Sequence, residues 1–138
     1  MKKLLSILLA VITMFCLSGC SGRYSLHKSG TYITNGEKYT YEIHSFKEKR
    51  TRGLTTINFG EFQGYYVYPL RINRRYSSVS YNITHGEGEL DVSVKETNES
   101  LDLPNGTINL SSKNERYIYI IFTSEYCKDI EIEFIFAK

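Results

Sequence analysis

Residues 116–123, Arg116-Tyr117-Ile118-Tyr119-Ile120-Ile121-Phe122-Thr123, decide the fold class of this chain. Tyr117, Tyr119 and Ile121 alternate with Ile118, Ile120 and Phe122, so an extended chain here is apolar or aromatic on both faces. Such β-branched and aromatic side chains suit a pleated surface. A strand of this kind belongs in the middle of a sheet or between layers.

Those strands read outward from it in both directions. Residues 130–136 carry Ile130, Ile132, Phe134 and Phe136 against Glu131 and Glu133. In residues 39–47, Tyr39, Tyr41 and Ile43 oppose Thr40, Glu42 and His44, and residues 54–59 follow before a corner at Phe62-Gln63-Gly64. Residues 64–72 are apolar or aromatic on both faces, with Pro69 favouring an edge or a bulge because it lacks a ladder donor. Val79, Tyr81 and Ile83 alternate with Ser78, Ser80 and Asn82. His85-Gly86-Glu87-Gly88 then predicts a hairpin turn into residues 89–96, with Leu90, Val92 and Val94 inward. A short Leu101-Asp102-Leu103 element ends at Pro104, Asn105-Gly106 predicts a turn, and Ile108 and Leu110 resume the alternation. No window has apolar spacing at three and four residues, so the chain is expected to be all-β: an antiparallel β-sandwich or jelly-roll-like barrel over residues 31–138, without internal repeats or a second domain.

The N-terminus is of another kind. Lys2 and Lys3 precede an apolar run over residues 4–17 broken only by Ser6 and Thr13, the pattern of a cleaved export signal over residues 1–19. The run is shorter than the ~20 residues that span a bilayer. Leu17-Ser18-Gly19-Cys20 resembles the lipobox of bacterial lipoproteins. In that family the cysteine thiol receives a diacylglyceryl group and becomes the first mature residue, so the resemblance implies a domain anchored in membrane lipid through Cys20, on the extracytoplasmic face. Residues 20–30 are small and polar enough to predict a flexible tether, its ten residues after Cys20 reaching roughly 17 Å as a random coil. The order of aromatic strand, Gly86/Gly88 hairpin, Leu101-x-Leu103 element, Asn105-Gly106 turn and Arg116-Tyr117-x-Tyr119 strand is similar to the β-sandwich of many small Gram-positive lipoproteins and to pre-peptidase-like C-terminal domains. That resemblance implies a fold and an address, not an activity.

Charge and cysteine usage exclude several functions. The chain carries 17 Lys and Arg against 15 Asp and Glu, a surplus equal to Lys2 and Lys3, so no basic excess remains after processing to suggest nucleic acid. Lys47, Lys49, Arg50 and Arg52 form one basic cluster, and Arg71, Arg74 and Arg75 another, both read as solvated turns. Of three cysteines, Cys16 leaves with the signal and Cys20 takes the lipid, so Cys127 has no disulfide partner and reads as a small residue at a strand entrance.

Candidate chemistry is sparse. No phosphate loop, G-x-S-x-G elbow or H-E-x-x-H motif occurs. Glu42 and His44 share a strand face, but no motif adds a nucleophile, and they read as a polar outer face. His27 falls in the expected tether. His85, Glu87, Glu89 and Asp91 alternate as calcium-type oxygen donors would, yet a straight strand spreads them nearly 7 Å apart. The three scattered histidines show no zinc-ligand spacing, so neither metal nor cofactor is expected. Twelve tyrosines without a tryptophan are the compositional surplus. Tyr65, Tyr66 and Tyr68, beside Arg71, Arg74 and Arg75, suggest an aromatic and cationic face for a cell-wall polymer, a glycan or an envelope protein. The expectation is a non-catalytic binding module at the envelope. The alternatives are an accessory or inhibitory subunit of an envelope complex and a small hydrolase or metal-dependent enzyme, which would need a pocket gathering His44, His85 or Cys127 with acidic residues.

Overall fold

The structure, a computed structural model, describes residues 21–110 and 116–138. Leu17, Ser18, Gly19 and Cys20, with the rest of the expected signal, lie outside the described residues. Eight strands follow one another: β1 (Ser21–Thr34), β2 (Glu37–Thr51), β3 (Leu54–Arg71), β4 (Ser78–Thr84), β5 (Asp91–Val94), β6 (Glu99–Ser100), β7 (Asn105–Asn109) and β8 (Tyr117–Ala137). All pair antiparallel in one hydrogen-bonded sheet of order β1-β2-β3-β8-β4-β7, with β5 also on β8 and β6 on β5. Among the described residues no helix is long and apolar enough to cross a membrane.

Two tight turns set the register of the first three strands. Asn35 (φ 53°) and Gly36 (φ 77°) both occupy the left-handed region, the requirement of a two-residue turn that matches strand twist, so Thr34 faces Glu37 and the pairing runs back to Ser21 opposite Arg50. Arg52-Gly53 joins β2 to β3 by another two-residue turn, in which Gly53 (φ 81°) alone takes the left-handed region, Thr51 facing Leu54. Residues 20–30 were expected to be a tether; the described part of them is instead the first half of β1. Their small polar residues suit an edge strand with one solvated face, and the Asn35-Gly36 turn recruits them by returning the chain onto β2.

A crease crosses the sheet. Leu26, Ser45, Gly60, Asp129 and Gly86 occupy one row, bracketed by the pairs His27↔His44, His44↔Glu61 and Glu61↔Lys128 on one side and Ser25↔Phe46, Phe46↔Phe59 and Phe59↔Ile130 on the other. Gly86 joins through its N–H to Lys128 O at 2.9 Å. Ser45 and Asp129 take positive φ there. The inward set changes parity across this row: Ile43 to Phe46 on β2, Phe59 to Phe62 on β3, Cys127 to Ile130 on β8. An αL residue in an extended strand bends it and re-aims its side chains. Because neighbouring strands bend at one row, the sheet folds over without losing its ladder.

The folded sheet closes on one core. Tyr68, beyond the crease on β3, lies parallel to Phe134 with centroids 6.5 Å apart and donates to the Glu48 carboxylate of β2 at 2.6 Å, although both of those lie on the other side of the crease. Ile118, Ile120, Phe122, Ile130, Ile132 and Phe134 of β8 are all buried between the halves. Each fully buried side chain of this size contributes ~1.5–3 kcal/mol, and β3 buries a matching set in Ile57, Phe59, Phe62, Tyr66, Tyr68 and Leu70, so the paired β3 and β8 form the centre of the core.

Several expectations are corrected. Residues 116–123 lie in the middle of the sheet as expected, between β3 and β5, but only one of their two apolar faces is buried: Tyr117 and Tyr119 remain 38% and 37% exposed, because the sheet folds onto the Ile118 side and no layer of the described residues covers the other. Residues 117–137 form one strand, continuous through an extra residue near Glu125 and Tyr126 that shifts the β3 register between Phe62 and Gly64. His85-Gly86-Glu87-Gly88 does not reverse the chain. β4 pairs with the end of β8 and β5 with its beginning, joined by the Gly88↔Cys127 bridge, so residues 78–94 run on along β8. These glycines carry the chain across the crease, and a Cβ on Gly88 (φ 102°) would run into Tyr126 O. Asn105-Gly106 opens β7 instead of turning, and Gly106 makes room for the Tyr81 ring. The inward residues Val79, Tyr81, Ile83, Leu90, Val92, Val94, Ile108 and Leu110 are all buried as their alternation predicts.

Candidate functional site

The polar rows beside the crease carry the densest chemistry. In the β1–β2 hairpin His27 pairs with His44, one row from the bend, and Ser29 with Glu42, two rows further, so His27, His44 and Glu42 share the outward face. Their side chains converge. Glu42 Oε1 lies 3.0 Å from His27 Nε2 and 3.2 Å from His44 Nε2, and the imidazole centroids are 4.8 Å apart. Gln63, paired with Glu42 across β2–β3, donates from Nε2 to Glu42 Oε2 at 3.1 Å. Both carboxylate oxygens are therefore engaged and the group is oriented toward the rings. The His27 hydrogen bond holds the Glu42 carboxyl below the usual carboxylate range against the opposing effect of desolvation, with further lowering by His44.

This cluster opens onto a groove of about 630 Å³ whose wall includes His27, Glu42, Gln63, Ser124 and Glu125. The groove lies where the β2–β3 ladder ends at Gly64 (φ 101°), whose missing Cβ lets Thr40 O approach. Tyr39 stacks on Tyr65 at 4.6 Å and Tyr32 on Tyr41 at 5.5 Å nearby.

A second polar group is internal. Glu48 is buried, accepts from Tyr68 Oη at 2.6 Å, and is paired with Arg50 at 3.2 Å; Arg50 also donates to Tyr68 Oη at 3.3 Å. Lys28 Nζ donates to Tyr66 Oη at 3.0 Å and sits 4.5 Å from the Phe46 ring centroid. Burial pushes both tyrosine hydroxyls far above their ordinary range, the Glu48 carboxylate adding most of the rest at Tyr68, and burial lowers Lys28. Paired and hydrogen-bonded in this way, the charges are tolerated beneath the sheet.

The six residues expected to form a binding face are divided. Tyr66 and Tyr68 point into the core at 3% and 2% exposure, whereas Tyr65 faces outward, as alternation along one strand requires. Arg71 ends β3 exposed, opposite Tyr117, and Arg74 and Arg75 lie exposed in the following loop. His44, His85 and Cys127 are not gathered: His85 is exposed after β4, and Cys127 is buried facing the core, where burial pushes its thiol up. Glu87 pairs with Lys128 at 3.9 Å, and His85, Glu87, Glu89 and Asp91 do not converge on a cation. Among the described residues, the His, Cys, Asp and Glu side chains whose ligating atoms do converge are His27, Glu42 and His44, all within 4.8 Å.

Sequence reasoning missed this trio because His27 was assigned to a tether. A signal was available: Asn35-Gly36 between extended segments marks a two-residue hairpin, and counting outward from it sets His27 opposite His44. Comparison with protein-family models, with curated proteins and with solved structures returned no match.

Proposed function

We propose that this chain is an extracytoplasmic lipoprotein, held in the cell membrane by lipid on Cys20, whose β domain is a non-catalytic binding module of the cell envelope. The export signal and Leu17-Ser18-Gly19-Cys20 support the anchor. Two or more acyl chains, at ~0.8 kcal/mol per buried methylene, hold such a protein stably. The pairing of Ser21 with Arg50 supports a short reach, since the sheet begins one residue after Cys20 and leaves no spacer between headgroups and domain. In fold the domain is read as sandwich-like, its two layers being halves of one creased sheet.

The observation that carries the binding reading is an exposed aromatic and cationic row on the outward face of β3 and β8. Arg71 stands opposite Tyr117 and Pro69 opposite Tyr119, while Lys95 Nζ lies 5.5 Å from the Tyr119 ring centroid. Tyrosine faces stack on sugar rings and the cations meet anionic groups, which suits a charged wall polymer or glycan. The test is retention of the full chain on cell-wall polymer. Wild type is retained, Tyr117→Ala with Tyr119→Ala is not, and Tyr126→Ala, exposed elsewhere, behaves as wild type. Failure of wild type to bind, or binding indifferent to Tyr117 and Tyr119, overturns the reading. Cys20→Ala tests the anchor separately: the precursor stays uncut or the protein is released, and a variant that still fractionates as a processed membrane lipoprotein removes it.

A second reading, an accessory or inhibitory subunit of an envelope protein complex, is supported by the one-sided pairing of residues 65–71, which among the described residues meet a strand only in β8. An edge of this kind accepts strand addition from a partner.

A further inference from the structure

We propose that His27, Glu42 and His44 form a binding site for a divalent transition metal, Zn²⁺ in the first place, on the outward face of the β1–β2 hairpin. The inference stands apart from the lipid anchor and from the aromatic row, since neither contributes a residue to it.

Three features carry it. The first is the donor set. Two imidazole nitrogens and one carboxylate oxygen match the ligands zinc takes where three protein groups leave a position open, whereas calcium and magnesium require sites made almost wholly of oxygen. The second is spacing. Glu42 Oε1 is 3.0 and 3.2 Å from the two Nε2 atoms. Two donors so separated, each ~2.0–2.1 Å from a shared ion, subtend roughly 95–105° at it, close to tetrahedral. The three ligand atoms lie within 4.8 Å of one another, wider than the ~3.3 Å of a tetrahedral pair at these bond lengths, so rotation of the half-exposed imidazoles toward each other closes the site.

The third is support beyond the ligands. Gln63 Nε2 holds Glu42 Oε2 at 3.1 Å and so fixes which carboxylate oxygen faces the rings. Outer partners of this sort orient ligands and raise affinity. The groove beside His27 and Glu42 gives water, or an anionic group of a bound molecule, access to the open position. On the backbone side, His27 and His44 are fixed as a directly opposed pair, and the crease one row away turns both outward instead of into the core. A bound ion also ties the edge strand β1 to β2 through side chains, in addition to their ladder.

Protons and metal compete for the same three atoms. In the metal-free protein Glu42 accepts hydrogen bonds from the rings; on binding, a neutral ring moves its Nε2 proton to Nδ1, a protonated ring gives one proton to solvent, and each Nε2 lone pair goes to the ion. Affinity therefore falls with falling pH, and loading releases protons.

The experiment is titration of the full chain in detergent with Zn²⁺, in competition with a chromophoric chelator, together with the visible spectrum of the Co²⁺ form. Wild type should take one ion per chain and its thermal midpoint should rise on loading. His27→Gln, Glu42→Gln and His44→Gln should each abolish stoichiometric binding, and Gln63→Ala should weaken it roughly 10-fold or more. His85→Gln and Glu87→Gln, a histidine and a carboxylate outside the trio, should bind as wild type does. Circular dichroism without metal checks that each variant folds. The Co²⁺ spectrum of wild type is a separate readout that needs no variant: nitrogen and oxygen ligation gives only ligand-field bands, whereas intense sulfur-to-cobalt charge transfer would assign the ion to a cysteine. Sulfur ligation, absence of saturable binding, or binding that survives both His27→Gln and His44→Gln overturns the proposal.

Discussion

Tyr65, Tyr66 and Tyr68 are neighbours in the chain and separate in the fold, whereas His27 and His44 lie on different strands and meet. Along β3, successive side chains leave opposite faces, so a cluster read as one aromatic patch becomes one outward ring and two core rings tied to Lys28 and Glu48. Across β1 and β2, directly opposed residues share a face, so two histidines and a carboxylate form a site no local spacing announces. In a β protein, proximity in sequence divides residues between faces, and register brings them together.

The largest expected effect tests the first half of that comparison. Tyr68→Ala should lower unfolding free energy by about 3–5 kcal/mol in urea denaturation, because it empties a core position beside Phe134 and removes a donor from buried Glu48. Tyr65→Ala should cost only about 0.5–1.5 kcal/mol, mainly its stacking on Tyr39. Equal losses would mean that alternation does not hold along residues 65–68.

Gly60→Ala addresses the crease itself. The new Cβ would stand 2.9 Å from Ser45 Cβ and 3.1 Å from His44 O, overcrowding worth about 1–3 kcal/mol, and the relief of that crowding displaces His44. A variant as stable as wild type would show that the bend does not depend on this close approach.

Alkaline pH separates the inward tyrosines from the outward ones. Tyr66 and Tyr68 ionise at higher pH in the folded state than the ordinary ~10 of an unfolded chain. A raised folded value makes a contribution that is fully present below the unfolded value and is lost as pH rises through the folded one, because the unfolded chain gives up its protons first. The thermal midpoint should therefore fall above about pH 10, and Tyr68→Phe should flatten that fall.

The smallest effect belongs to the outward trio. The Glu42 carboxyl is lowered by its His27 hydrogen bond, so its contribution is present above the unfolded carboxylate range near ~4.3 and is lost as pH falls through the folded value. Glu42→Gln should barely change stability at neutral pH, since exposed pairs of this kind contribute little, and should remove that part of the acid-side slope. An unchanged slope would mean that the His27–Glu42 contact is absent in solution.

The strand content and the inward sets of residues 78–94 and 108–110 were readable directly, because alternation is a local property and a half-buried strand displays it within a few residues. Two kinds of glycine misled. Gly86 and Gly88 resemble a hairpin turn, yet backbone bonds from Gly86 to Lys128 and from Lys128 to Glu87 keep the chain on its course along β8. Asn35-Gly36 is a true turn of the expected chemistry, but it counts only when residues 21–34 are read as a strand, and polar edge strands lack the hydrophobic signature that marks one.

By itself, then, the amino-acid sequence determined the all-β class, the alternating core residues and the lipobox-like motif at Cys20, since each depends on residues within about ten positions of one another. Only the tertiary structure decided which face of β8 is covered, where the sheet bends, and that Glu42 lies between His27 and His44. Those outcomes depend on the pairing of distant strands, and on a row of αL residues and close glycine approaches whose consequence for side-chain direction appears once the strands are in register.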